Sequence, residues 1–183
     1  MNIKKKIQVC FSTDQFEKYA DDISTVVIVD LLRATSVIST AFECGINAVI
    51  PVTTAEEALA FKNINNHIVA AERNTLRLEG FDYGNSPFHY INSDVKGKVL
   101  ALTTTNGTKA IHLAKEHKVI TASFVNIDAV TNYLNKENND VIILCSGWKG
   151  YFNLEDTIFA GALPEKLLSN SNFLSNCDAL QAA

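Results

Sequence analysis

Asp30, Arg33 and Thr35 put a carboxylate, a guanidinium and a hydroxyl close together in the run VVIVDLLRATS, from Val26 to Ser36. At the edge of a buried strand and the start of a helix, this trio suits an anion and its metal, because helix N-termini offer free N–H groups and partial positive charge. A second run, TTTNGT at Thr103 to Thr108, adds hydroxyls, an amide and a glycine at which backbone N–H groups can approach a ligand closely. Acids are the other theme: Asp30, Glu72, Glu79, Asp82, Glu155 and Asp156 all fall at strand ends or in the loops facing them. Mg²⁺ takes oxygen ligands, usually one or two carboxylates with water and substrate phosphate, so these acids are candidate metal ligands. Plainer accounts stay open beside these. Thr35 caps a helix while Arg33 pairs with Asp30, TTTNGT is an ordinary capped turn, and Glu155 and Asp156 are helix-N-terminal acids.

The elements that must position these residues are legible from apolar patterning. Val26 to Val29 is a run of β-branched residues without polar alternation, as expected of a strand covered on both faces in a parallel sheet. Ile7–Phe11, Ala48–Val52, Ile68–Ala71, Val99–Leu102, Val119–Ala122 and Val141–Cys145 read as further strands. Helices are expected over Thr35–Cys44, stopped by Gly45, after Thr54 with Glu57 completing a capping box, and through Ala110, Ile111, Leu113 and Ala114. Two more are expected over Ile127–Leu134, with Asn126 as cap, and Leu154–Leu168. Ser12–Ser24 is a polar connection. Asn74–Lys98 loses its periodicity and reads as a long loop, with one short helix after Ser86 and Pro87; loops of this length inside a domain are often functional. Strand, polar edge and helix alternate throughout. The fold class is therefore α/β: three-layer α/β/α with a mainly parallel sheet, whose carboxyl edges converge on one crevice. A shift of 73 positions lays Val99–Thr108 on Val26–Thr35, a faint internal echo of strand, loop and helix.

Composition narrows the function classes. At 47% hydrophobic and 20% charged, the 183 residues are too apolar for disorder and long enough to bury a core without a staple. A net charge of -4 speaks against nucleic acid, which is held by a surplus of Lys and Arg. Met1–Lys6 is basic, but Ser12, Thr13 and Asp14 interrupt the apolar residues after it before any leader core develops, and no run of ~20 apolar residues suggests a membrane span. Cys10, Cys44, Cys145 and Cys177 lack CxxC spacing and read as reduced core thiols of a cytoplasmic protein. His67, His89, His112 and His117 are dispersed, so no zinc pattern competes.

Five blocks carry a resemblance: VIVDLLRATSVISTAF, ERNTLRLEGFDYGNSP, LALTTTNGTKAI, ASFVN and LCSGWKGYFNLEDTIFAGAL. In order and spacing they are similar to the 2-phosphosulfolactate phosphatases, over nearly the whole chain, with GFDYGNSP and TTTNGT the most specific. The resemblance implies a Mg²⁺-dependent phosphatase that converts 2-phosphosulfolactate to 3-sulfolactate and phosphate, on a route to coenzyme M or related sulfonates. Departures are Ala71 and Asn74, where glycines are expected around Glu72 and Arg73, and Ser146 and Trp148 after Cys145. The chain also ends at CDALQAA where family members continue, so residues 1–183 are expected to form a single phosphatase-like domain lacking the family's C-terminal portion.

Taken together, residues and resemblance assign catalysis to Asp30 and Arg33, and the holding of Mg²⁺ to Asp30 with some of Glu72, Glu155 and Asp156. Thr35, Arg73, Asn85, Ser86, Thr105, Asn106, Gly107, Thr108, Ser146 and Gly147 are assigned to binding a small anionic phosphorylated substrate. Neither nucleic acid nor membrane is an expected partner; a homo-oligomer is allowed. Two alternatives remain from other classes: a cysteine enzyme using Cys145 as nucleophile, and an anion-binding protein of the same fold without turnover. A phosphatase for another phosphorylated hydroxy acid is the alternative within the same class.

Overall fold

The computed structural model describes residues 4–21, 24–91, 93–137, 139–169 and 172–183. The start of the basic Met1–Lys6 segment, residues 22 and 23 of the polar connection and residue 92 of the long loop lie outside them. The apolar runs form strands because each has both faces to bury: Thr25–Val29 (β2) and Val141–Cys145 (β8) are buried at every position. With Lys5–Cys10 (β1), Lys118–Ala122 (β7) and Phe173–Leu174 (β9) they make a parallel five-stranded sheet ordered β7-β2-β8-β1-β9. Helices Ile127–Glu137 (α5) and Leu154–Leu168 (α6) cover one face, packing Val130, Leu134, Phe159, Ala160 and Leu163 on Val27, Val29 and Ile143. Helix Gly107–Leu113 (α4) covers the other, with Ala110 beside Val26, Ile28, Ile142 and Leu144. The result is a three-layer α/β/α arrangement about a parallel sheet.

The remaining strands do not join that sheet. Ala48–Pro51 (β3), Val99–Thr103 (β6) and His67–Arg73 (β4) are parallel neighbours in a second sheet, where Leu76–Arg77 (β5) adds an antiparallel edge to give the order β3-β6-β4-β5. The expectation of one sheet is corrected here. An unbroken apolar run reports burial on both faces but not which strand lies alongside. The 73-residue echo acquires a structural counterpart. Helix Ala34–Glu43 (α1) follows β2 in the first sheet yet buries Val37, Ile38 and Ala41 against Ile68, Ala70, Leu100 and Leu102 of the second. Helix α4 follows β6 in the second sheet and packs on the first. This exchange of helices draws the polar ends of β2 and β6 together.

Local signals explain most boundaries. Thr54 and Glu57 form the expected capping box at the start of Ala55–Leu59 (α2), and Gly45 ends α1 at φ +91°. Asn126 is not the cap of α5: its Oδ1 accepts from Ser123 N at 2.8 Å and its Nδ2 donates to Thr121 O at 3.1 Å, closing a 3-10 turn over Phe124–Asn126. The long loop holds the expected short helix, Phe88–Ile91 (α3), and also β5. Asp178–Ala182 forms α7. Among the described residues no helix is long and apolar enough to cross a membrane.

Candidate active site

The carboxyl ends of β2, β4, β6 and β8, two strands from each sheet, open on one cleft. Asp30, Leu32 and Arg33 line it from β2, Glu72 and Thr75 from β4, Thr104 to Asn106 from β6, and Trp148 from β8, with Asn85 on the floor of the long loop. The space among these residues is about 280 Å³ with open solvent at its mouth included, of which about 20 Å³ is room for water-sized groups within the cleft.

Asp30 is the pivot. Thr35 Oγ1 donates to Asp30 O at 2.9 Å and accepts from Asp30 N at 3.2 Å, so the hydroxyl of the next helix clasps the strand end. Thr108 repeats the device on β6, donating to Thr104 O at 3.1 Å and accepting from Thr104 N at 3.1 Å. These two hydroxyls are consumed in shaping the loops. The Asp30 carboxylate accepts from Ala34 N at 3.1 Å and from Gly107 N, one amide from each unit of the echo. Burial pushes its pKa up to about 7, with the charges of Asp156 and Glu72 adding and the two N–H groups opposing. Arg33 does not pair with Asp30. Its Nη2 donates to Thr75 O at 3.2 Å, across the mouth.

Glu72 is buried at the end of β4, where its Oε1 accepts from Thr75 N at 2.5 Å and its Oε2 from Thr105 Oγ1 at 3.4 Å. Arg73 is not one of the lining residues; it donates to Glu72 O at 2.7 Å and Thr103 Oγ1 at 3.3 Å. Asn85 is 6% exposed, and its Oδ1 is buried without a hydrogen-bond partner among the described residues. An orphaned acceptor costs free energy unless a ligand or ion satisfies it.

Asp156 is fully buried and works differently from the other acids. Its Oδ1 accepts from Leu31 N at 2.8 Å and its Oδ2 from Gly147 N at 3.2 Å, tying the loop after β2 to the loop after β8. Burial pushes its pKa up to about 6, while the bonds from Leu31, Asn153 and Gly147 hold it down. Glu155 is half-buried beside Asn153, which donates to it at 3.0 Å, and it does not line the cleft. Neither does Glu79, which is exposed, nor Asp82, whose Oδ2 accepts from Val69 N at 2.9 Å.

Of the residues assigned to substrate from sequence, the structure brings Asn85, Thr105 and Asn106 to the lining, with Gly107 against Asp30 behind them. Thr35, Arg73, Thr108 and Gly147 support it from outside the lining, and Ser86 accepts the first bond of α3 from His89 N. Ser146 is buried with its N–H on Val29 O at 2.7 Å and its Oγ unpaired among the described residues. Leu32 and Thr75 line the cleft without having been singled out, and Thr104 and Trp148 line it without having been assigned to binding. Thr75 had one faint signal, the preceding Asn74, since both hold positive φ (67° and 51°) in the turn that makes β5.

Sequence comparison bears on the same residues. The model of the 2-phosphosulpholactate phosphatase family matches residues 10–183. The chain belongs to the 2-phosphosulpholactate phosphatase family. Among curated relatives named "Probable 2-phosphosulfolactate phosphatase", that of Caldanaerobacter subterraneus subsp. tengcongensis is 45% identical over 82% of this chain and 64% of its own length. That of Thermotoga maritima is 44% identical over 80% of this chain and 63% of its own, and that of Clostridium acetobutylicum 38% over 97% and 77%. The chain thus spans just under two thirds of the first two relatives.

A family with this name invites a test for Mg²⁺. Among the described residues, no group of three or more His, Cys, Asp or Glu side chains is gathered closely enough to hold an ion. The oxygen set nevertheless suits a hard cation that keeps waters: two carboxylates, Asp30 and Glu72, and the unsatisfied Asn85 Oδ1 line one cleft. Asp156, with both oxygens on backbone amides, is a tether between loops in this geometry.

Cys145 is wholly buried, and burial drives its thiol far above the ordinary range, the reverse of an activated nucleophile. All four cysteines are free thiols.

Proposed function

We propose that this chain hydrolyses a phosphate monoester with the help of Mg²⁺, its substrate being 2-phosphosulfolactate and its products 3-sulfolactate and phosphate. The reading rests on the family to which the chain belongs, and on one geometric observation: acids and anion-holding groups from both sheets share a single cleft. Asp30, Glu72 and Asn85 would hold Mg²⁺, which when bound would neutralise charge on the phosphoryl oxygens. Arg33, on the mouth, binds those oxygens through a guanidinium already oriented by Thr75 O. Thr104, Thr105 and Asn106 supply two hydroxyls and an amide along the opposite wall. Leu32 and Trp148 close the rim with apolar surface, so that water is thinned around the reacting group. Free thiols fit a reducing cytoplasm, and a product that is a small sulfonate suits the biosynthesis of a sulfonated cofactor such as coenzyme M.

The experiment is phosphate release from a panel of phosphorylated sulfonates and carboxylates, with Mg²⁺ and with chelator. The proposal expects Mg²⁺-stimulated release, fastest from 2-phosphosulfolactate. Tight binding of the same acids with no release from any of them would instead establish an anion-binding protein.

A further inference from the structure

We infer that Lys149 is a second anion subsite, which reads the acid group of the substrate lying away from the phosphoryl centre; the inference rests on the substrate class proposed above. Among the described residues, the cleft lining holds two carboxylates and a single cation, Arg33. A monoester that carries a sulfonate or carboxylate beside its phosphate therefore needs another positive charge at the mouth.

Lys149 supplies it from a built hairpin. Trp148 and Tyr151 exchange backbone hydrogen bonds of 2.8 and 2.9 Å across a two-residue turn in which Lys149 and Gly150 stand at φ +51° and +84°. Turns of this kind favour Asn-Gly, and a lysine in the left-handed region is held there against its own backbone preference. The hairpin is anchored at three points. Lys149 N donates to Asn106 Oδ1 at 3.2 Å, Gly147 N to Asp156 Oδ2, and Ser12 Oγ to Gly150 O at 3.3 Å. A Cβ on Gly147 would lie 2.4 Å from Tyr151 O, so the hairpin can close only with glycine there.

The lysine's backbone is thus fixed to a residue of the lining, and its ammonium stands 5.5 Å above the ring of Trp148, another residue of the lining. Ion pairs among the described residues occupy Lys115, Lys118 and Lys166, leaving the Lys149 charge uncommitted to any carboxylate. The Trp148 face beside it offers apolar contact for the methylene that joins a sulfonate to the rest of the molecule.

Lys149→Asn tests this, because asparagine suits the turn while removing the charge. Binding of 3-sulfolactate and of inorganic phosphate is measured by calorimetry on the full chain, for wild type, Lys149→Asn and Lys149→Arg, with thermal melting as a check on folding. The expected result is a Kd ratio, sulfolactate over phosphate, that rises about tenfold in Lys149→Asn and returns in Lys149→Arg, with melting no lower than wild type. An unchanged ratio, or one that Arg fails to restore, overturns the subsite. Hydrolysis is read separately on wild type: absence of phosphate release would count against the proposed reaction while leaving the binding ratio to decide the subsite.

Discussion

The backbone of Gly107 lies against the carboxylate of Asp30: a Cβ built on the glycine would stand 2.6 Å from Asp30 Oδ2 and 2.6 Å from the Cβ of Ala34. Residues 77 positions apart, at the ends of strands in different sheets, are in van der Waals contact because α1 and α4 cross to the opposite sheets.

Gly107→Ala should therefore act at the cleft. The clash is with a buried carboxylate and a helix Cβ, neither of which is a flexible tip, so the loops must part. The expected cost is about 1–3 kcal/mol in urea unfolding, with a larger proportional loss of phosphate release. Wild-type stability in the variant would mean that the contact is loose.

Asp30 predicts a pH dependence of stability. Its pKa moves from 3.8 to about 7 on folding, so the native state binds this proton more tightly than the unfolded chain. The associated stability is complete below about pH 4 and is lost as pH rises to 7, an effect of the order of 4 kcal/mol. Asp156, raised to about 6, adds to the same slope. In metal-free buffer, the melting temperature of Asp30→Asn should exceed that of wild type at pH 8 and approach it at pH 4. Parallel curves across that range would contradict the assigned shift.

Asp156→Ala removes the acceptor shared by Leu31 N and Gly147 N. Two amides, that of the half-buried Leu31 and that of the buried Gly147, lose their partner, at a cost of the order of 3 kcal/mol in chemical denaturation. The amide resonances of Leu31 and Gly147 should both move upfield in the variant. If only one of them moves, the tether is not shared.

Thiol alkylation and chelation separate the enzyme classes. Iodoacetamide on the native chain should leave phosphate release intact, since Cys145 and Cys10 are buried. EDTA should abolish release and Mg²⁺ restore it. The opposite pattern would return Cys145 to consideration.

Much of this architecture was written in local pattern. The β-branched run of β2, the capping box of Thr54 and Glu57 and the Leu154–Leu168 helix are decided by neighbours in sequence, and the structure has them where the residues call for them. Sheet membership was not legible, because β2 and β6 bury both faces alike whichever sheet they join. Strand β5 was invisible for another reason: it is two exposed residues turned by Asn74 and Thr75, and a β-branched residue at φ +67° is no turn signal. In the site, Asp30, Glu72 and Asn106 could be picked out as polar groups after apolar strands. The orientation of Asp156 could not, since its position in the first turn of α6 fits a dipole acid, a metal ligand or a tether equally. Trp148 lay hidden as an aromatic in a loop until the hairpin returned it to the cleft.

The most direct test of the shared cleft is turnover of 2-phosphosulfolactate by Asp30→Asn in saturating Mg²⁺, with circular dichroism to establish that the fold is kept. The account predicts a folded protein whose kcat/KM has fallen by about a thousandfold or more. A folded Asp30→Asn that releases phosphate at the wild-type rate would contradict it.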